Sequence, residues 1–160
     1  MSIDGRWVSF HLAPRPYMGH LPSSVNSVLL DVKVPRIVLR TWERGLHQAL
    51  SNLIDNALKY SRDATPARLC IAAELVDGSC CISVTDNGIG FDMKYHDRIF
   101  GLFNRLVRAS EFEGTGAGLA IVAKLVEKLG GTVRAESAPG KGATFLIELP
   151  SQQPVPCSVL

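Results

Sequence analysis

Apolar residues recur at helical spacing over residues 42–60, where Leu46, Leu50, Leu53, Ile54, Ala57 and Leu58 define one face of an amphipathic helix. A second helical pattern covers 117–129 and is closed by Gly130-Gly131, a C-cap signal. Between them the period changes to that of strands. Ala67–Val76 and 79–85 flank Asp77-Gly78, a dipeptide suited to a tight hairpin because both turn positions need positive φ. Thr132–Ser137 and 144–149 predict a second hairpin around Ala138-Pro139-Gly140-Lys141-Gly142. A looser strand is expected over 27–34, ending at Pro35. Residues 91–114 mix aromatic, basic and acidic side chains without a sustained period. Residues 1–26, with Pro14, Pro16 and Pro22, read as an irregular N-terminal segment or linker remnant, and 151–160 as a loose tail. Hairpins interleaved with helices predict an α/β two-layer sandwich, a mixed and largely antiparallel sheet with helices on one face.

Composition narrows the function classes without choosing one. The 160 residues suffice for a single core, and 46% are hydrophobic against 20% charged. Seventeen basic and fifteen acidic residues leave a formal charge of +2, which gives no electrostatic case for nucleic acid or an anionic membrane. No apolar run approaches the roughly 20 residues of a membrane helix, and no leader pattern opens the chain. A cytoplasmic protein is therefore expected. Cys70, Cys80, Cys81 and Cys157 form no Cys-x-x-Cys pair and read as reduced thiols. Cys80 and Cys81 are neighbours in a strand, so their side chains should point to opposite faces.

Four segments carry candidate chemistry. Asn52, Asn56 and Lys59 stand at i, i+4 and i+7 and share one side of the first long helix. Amide oxygens are hard ligands suited to Mg²⁺, and a lysine suits phosphate; a solvated polar face is the plain alternative. Asp86-Asn87-Gly88-Ile89-Gly90 follows a strand, where a carboxylate can accept from an amine and glycines let the backbone approach a flat ligand. An ordinary tight turn would look the same. Gly114-Thr115-Gly116-Ala117-Gly118-Leu119 precedes a helix whose first N–H groups suit phosphate, though a glycine linker is the other reading. It is neither a Walker loop nor a dinucleotide fingerprint. Gly140-Lys141-Gly142-Ala143-Thr144-Phe145, taken alone, is a turn.

In this order, over residues 46–150, the segments resemble the N, G1, G2 and G3 boxes of histidine-kinase catalytic domains. Ile99-Phe100-Gly101-Leu102-Phe103-Asn104-Arg105-Leu106 resembles their F box, and 103–118 looks closest to phytochrome-type and hybrid kinases. The resemblance implies the Bergerat fold, with 27–150 as an ATP-binding catalytic domain using ATP and Mg²⁺. It implies that Asn56 holds the Mg²⁺, that Asn52 supports it, and that Lys59 and Arg105, with Arg108, contact phosphate. Tyr60 would flank the adenine, and Asp86 would accept from its amino group with Thr144 assisting. Gly88, Ile89 and Gly90 would line the base. Gly114, Thr115, Gly116, Ala117, Gly118 and Leu119 would wrap the phosphates beneath a mobile lid, 91–114.

The relatives that hydrolyse ATP carry, by the same resemblance, a glutamate one turn before the metal-binding asparagine. Here that position is Asn52, whose amide has no useful basicity. The resemblance therefore implies transfer to a histidine on the protein's own dimerisation and phosphoacceptor domain, then to a response regulator or receiver domain. His11, His20, His47 and His96 are the histidines of the chain, and none sits in an acceptor-like helix. A hydrolysing ATPase of this fold and a nucleotide-independent docking module are the alternatives. Trp42-Glu43-Arg44, Ala117 and residues 1–40 depart from the family pattern.

Overall fold

A computed structural model describes residues 7–10, 28–101 and 116–151. Seven strands and two long helices make up the described fold. The strands are β1 (Trp7–Phe10), β2 (Val28–Lys33), β3 (Ile37–Arg40), β4 (Ala67–Val76), β5 (Ser79–Asp86), β6 (Thr132–Ser137) and β7 (Ala143–Pro150). The helices are α1 (Glu43–Tyr60), a single turn α2 (His96–Ile99), and α3 (Gly118–Lys128).

The main sheet has five strands in the order β2-β4-β5-β7-β6. β2 runs parallel to β4, and every other pairing is antiparallel, as expected for the mixed sheet. β5 is central and alternates strictly: Cys80, Ile82, Val84 and Asp86 are buried, while the residues between are half-buried on the other face. α1 and α3 pack against each other and cover the first of these faces, which makes two layers with one core. Leu46, Leu53, Val84, Val122, Val126, Ile147 and Leu149 form its centre. Truncating Leu53 to alanine should cost about 2–5 kcal/mol. Among the described residues, no helix is long and apolar enough to cross a membrane.

The turn chemistry behaves as expected. Asp77 and Gly78 both take positive φ, +49° and +81°, as the two-residue hairpin demands. α3 ends in paired bonds, the Gly131 N–H to the Val126 carbonyl (3.0 Å) and the Gly130 N–H to the Glu127 carbonyl (3.0 Å), the Schellman arrangement. Trp42 precedes α1 and folds its ring over the first turn at Gly45, where a Cβ would collide with it.

The N-terminal region differs from expectation. Trp7–Phe10, inside the stretch expected to be irregular, is a strand, and it pairs antiparallel with β3. The two form a separate two-stranded sheet. Strands of four residues are too short to display a period, and the prolines around them dominate the composition. Ile37 and Leu39 of β3 are nevertheless core residues.

Candidate functional site

The last two turns of α1 face the first turn of α3. The Asn52 Nδ2 donates back to the Gln48 carbonyl of its own helix (3.0 Å), which leaves Oδ1 directed outward. A Cβ placed on Gly118 would stand 3.7 Å from that oxygen and 3.8–3.9 Å from the two amide atoms of Asn56. Two amides thus converge on the residue that opens α3. Ala117 precedes that helix without any side-chain cap. The first N–H groups of α3 thus receive no cap from Ala117 and stand beside the two amides, an arrangement suited to an anion. Gly116 has φ +72°, and Leu119 is half-buried in the first turn. Lys59, one turn beyond Asn56, lies with Nζ 3.4 Å from the Tyr60 hydroxyl and 4.7 Å from its ring centroid.

At the end of β5, Asp86 is 6% exposed. Its Oδ1 accepts from the Gly88 N–H at 2.8 Å, and the Ala143 N–H also donates to the carboxylate. Burial raises its pKa above the ordinary aspartate value, with the two backbone donors opposing. A buried carboxylate fastened on one side by backbone amides is an acceptor held ready for a donor on the other.

Three segments are locked around it. The Ile89 N–H donates to the Tyr60 carbonyl at the end of α1 (3.1 Å), and the Gly140 N–H donates to the Ile89 carbonyl (2.7 Å). Gly88 lies so close to α1 that a Cβ would collide with the Tyr60 carbonyl. Gly142, at φ +77°, presses on the Asp86 carbonyl in the same way. Gly90 sits against the Ala138 carbonyl. The Ser137 hydroxyl donates to the Gly142 carbonyl (2.7 Å) and accepts from the Phe91 N–H (2.9 Å). The β6–β7 turn, which read alone as only a turn, is fastened to Ile89 through Gly140 and packs on the Asp86 carbonyl through Gly142.

Asn52, Asn56, Lys59, Tyr60, Asp86, Gly88, Ile89, Gly90, Gly116, Ala117, Gly118 and Leu119 therefore surround one region. Thr144 is not brought to Asp86. Its hydroxyl pairs with that of Thr85 at 3.0 Å, and the register Thr85↔Thr144 puts both on the opposite face of the sheet from the carboxylate. The neighbouring Ala143 serves Asp86 instead, through its backbone. Arg105, Arg108, Gly114 and Thr115 lie outside the described residues.

The described start of the expected lid is anchored. Asp92 accepts from the Lys94 N–H (3.0 Å), Ile99 of α2 is buried, and the His96 Nε2 accepts from the Ala135 N–H of β6 (3.3 Å). Residues 102–115 are outside the described set. Sequence reasoning also passed over Asn87. Its Oδ1 accepts from the Arg68 N–H (2.7 Å) and its Nδ2 donates to the Pro66 carbonyl (3.0 Å), clamping the start of β4. The only signal was its place inside an Asp-Asn-Gly turn.

Among the described residues, no cluster of three histidine, cysteine or acidic side chains is placed to hold a metal. A cation here would rest on amide oxygen and on a ligand's own phosphates. The Asn56 and Asn52 oxygens fit a hard ion of that kind, since Mg²⁺ commonly takes few protein ligands and keeps water and phosphate.

Residues 42–153 match the model of the family described as histidine kinase-, DNA gyrase B-, and HSP90-like ATPase. Over 105 residues the chain is 44% identical to cyanobacterial phytochrome A of Nostoc sp., covering 66% of this chain and 14% of that protein. It is 35% identical over 141 residues to the methanogenesis regulatory histidine kinase FilI of Methanothrix harundinacea, covering 88% of this chain and 16% of that one. The chain thus spans a small fraction of these relatives. Among solved structures, a mycobacterial sensor histidine kinase, MprB, superposes with TM-score 0.69 at 29% identity, over 79% of this chain and 84% of that one. Full-length ShkA in complex with AMPPNP superposes with TM-score 0.65 at 31% identity, over 78% of this chain and 26% of that one. With the Bergerat arrangement of sheet, helices and facing amides in place, the chain belongs to the histidine kinase-, DNA gyrase B- and HSP90-like ATPase family, as a catalytic ATP-binding domain of the sensor histidine kinase type.

Proposed function

We propose that this domain binds ATP with Mg²⁺ and presents the γ-phosphoryl group to a histidine on the dimerisation and phosphoacceptor domain of the same protein. The phosphoryl then passes to a response regulator or receiver domain. The convergence of Asn52 and Asn56 on the uncapped start of α3 carries this reading. Asn56 would hold the Mg²⁺, with Asn52 supporting it, and the ion would supply neutralisation of phosphate charge. The first N–H groups of α3, with Gly114, Thr115, Gly116 and Ala117, would bind the phosphate chain, and Leu119 would pack beneath it. Lys59, Arg105 and Arg108 would add positive charge there. Asp86 would accept from the adenine amino group, with Ile89, Gly88, Gly90 and Tyr60 against the base. This work is positioning and charge stabilisation, the usual content of phosphoryl transfer.

An amide at position 52 favours transfer over hydrolysis, because an amide there cannot take a proton from water as a carboxylate at that position would. A cytoplasmic setting, where ATP is available, accompanies the reading.

Calorimetric titration of the chain with ATP should give binding that weakens when Mg²⁺ is chelated and in Asn56→Ala. With labelled ATP, the chain alone should incorporate little label and release little phosphate. Label should appear on the phosphoacceptor domain when that domain is added. Rapid phosphate release without an acceptor would instead identify a hydrolase. Absence of nucleotide binding would leave only a docking role.

A further inference from the structure

The two edges of the main sheet differ in kind. β6 presents Thr132, Arg134 and Glu136 to water, polar residues that suit an unpaired edge. β2 presents Leu29 and Leu30, each 52% exposed, and Val32, 37% exposed. Among the described residues, no strand pairs with its outer side. The register with β4 sorts its side chains. Leu30 and Val32 stand beside Leu69 and Ile71, on the face that carries the helices, and Asp31 and Lys33 stand beside Cys70 and Ala72 on the other. Next to Val32 an apolar groove lined by Val34, Ile37, Leu50 and Ile71 continues the exposed apolar surface. Asp31 and Lys33 pair with each other at 2.9 Å, both largely exposed.

We propose that β2 pairs antiparallel with β2 of a second copy of this chain, about a twofold axis through Val32, joining two five-stranded sheets into one. Symmetry and charge select this register. Directly opposed residues share a face of the sheet, and successive residues alternate faces, so the axis must pass through a residue and not between two. An axis through Asp31 sets Asp31 against Asp31 of the second copy, and an axis through Lys33 sets two lysines together. An axis through Leu30 sets Leu29 against a carboxylate. Only the axis at Val32 sets Asp31 against Lys33 of the second copy, and Lys33 against its Asp31. It also opposes Leu30 to Val34 and Val32 to its own copy, burying the exposed apolar residues on one face. The next pair would meet Pro35, which has no N–H to give, so pairing stops there. This edge contact is separate from the nucleotide region on α1, β5 and α3.

The test is sedimentation equilibrium of the 160-residue chain up to about 1 mM, the effective concentration of copies held by short tethers. Wild type should show a reversible monomer–dimer equilibrium. Asp31→Lys and Lys33→Asp, each alone, should weaken it by at least about tenfold, because both symmetric pairs become like-charged. An equimolar mixture of the two variants should restore wild-type association, since a strand with lysine at both positions then faces a strand with aspartate at both. The double variant D31K/K33D should associate by itself. Circular dichroism and thermal melts check that the single variants fold; if one does not, the double variant still decides. A wild type that stays monomeric over the whole range overturns the proposal. So does a dimer whose strength ignores these substitutions.

Discussion

Asp86 is an ionisable group held away from water by the fold and used, on our proposal, for one hydrogen bond to a base. Its carboxyl is pushed above the usual aspartate value by burial, so folding favours the protonated form more than the unfolded chain does. The contribution of Asp86 to stability therefore falls as pH rises from the unfolded value through the folded one, and at neutral pH the charge costs stability. Asp86→Asn should be more stable than wild type at pH 7, by about 1 kcal/mol. That margin should shrink toward zero in melts taken below pH 4. The same variant should bind ATP about 10–100-fold more weakly, the loss of a hydrogen bond to a charged acceptor. A variant that lost stability at pH 7 would show that the two backbone donors outweigh the burial. How much of this was legible without coordinates depends on range. Asn52, Asn56 and Asp86 could be read because one helix face and one strand end are local properties. The position of Thr144 could not, since its face depends on pairing with Thr85, 59 residues earlier. Nor could the two hydrogen bonds of the Asn87 amide with Pro66 and Arg68, which also join segments distant in sequence. Asn87→Ala should cost about 1–3 kcal/mol in urea denaturation, chiefly from the unpaired backbone groups left behind.

Elements, not single residues, bring the site together, and the turns between them carry more of its stability than their composition suggests. Gly78 and Gly142 both have positive φ, but nothing surrounds a Cβ at Gly78, while one at Gly142 would collide with the Asp86 carbonyl. Gly78→Ala should then cost about 1 kcal/mol, the conformational term alone, and leave ATP affinity unchanged. Gly142→Ala should cost more than about 2 kcal/mol and weaken ATP as well, because it displaces the end of β5. Equilibrium unfolding and nucleotide titration of the pair separate the two effects, and equal losses would refute the role given to the G3 turn. The long elements α1 and α3 and the β4–β5 hairpin were legible because each repeats its period several times. β1 and β3 were not, being four residues each. The parallel pairing of β2 with β4 is a choice between sheet neighbours that no local pattern encodes.

At the scale of the molecule, ligand binding and folding are linked, because α1, the end of β5 and the start of α3 must be in place together for the site to exist. MgATP should therefore raise the melting temperature of the whole domain, with the increase following nucleotide concentration. An unchanged melt at saturating nucleotide would contradict a site built across these elements. The neighbouring thiols of β5 turn this linkage into something that can be timed. Cys80 is 1% exposed and its thiol is pushed up to about 11 by burial, whereas Cys81 lies half-buried on the opposite face. One alkylating reagent thus meets two adjacent sulfurs through different events, a surface encounter at Cys81 and an opening of the central strand at Cys80. Peptide mass spectrometry of the two labels would read as a clock with its own reference hand. MgATP should slow the Cys80 label and leave the Cys81 label running at its former rate.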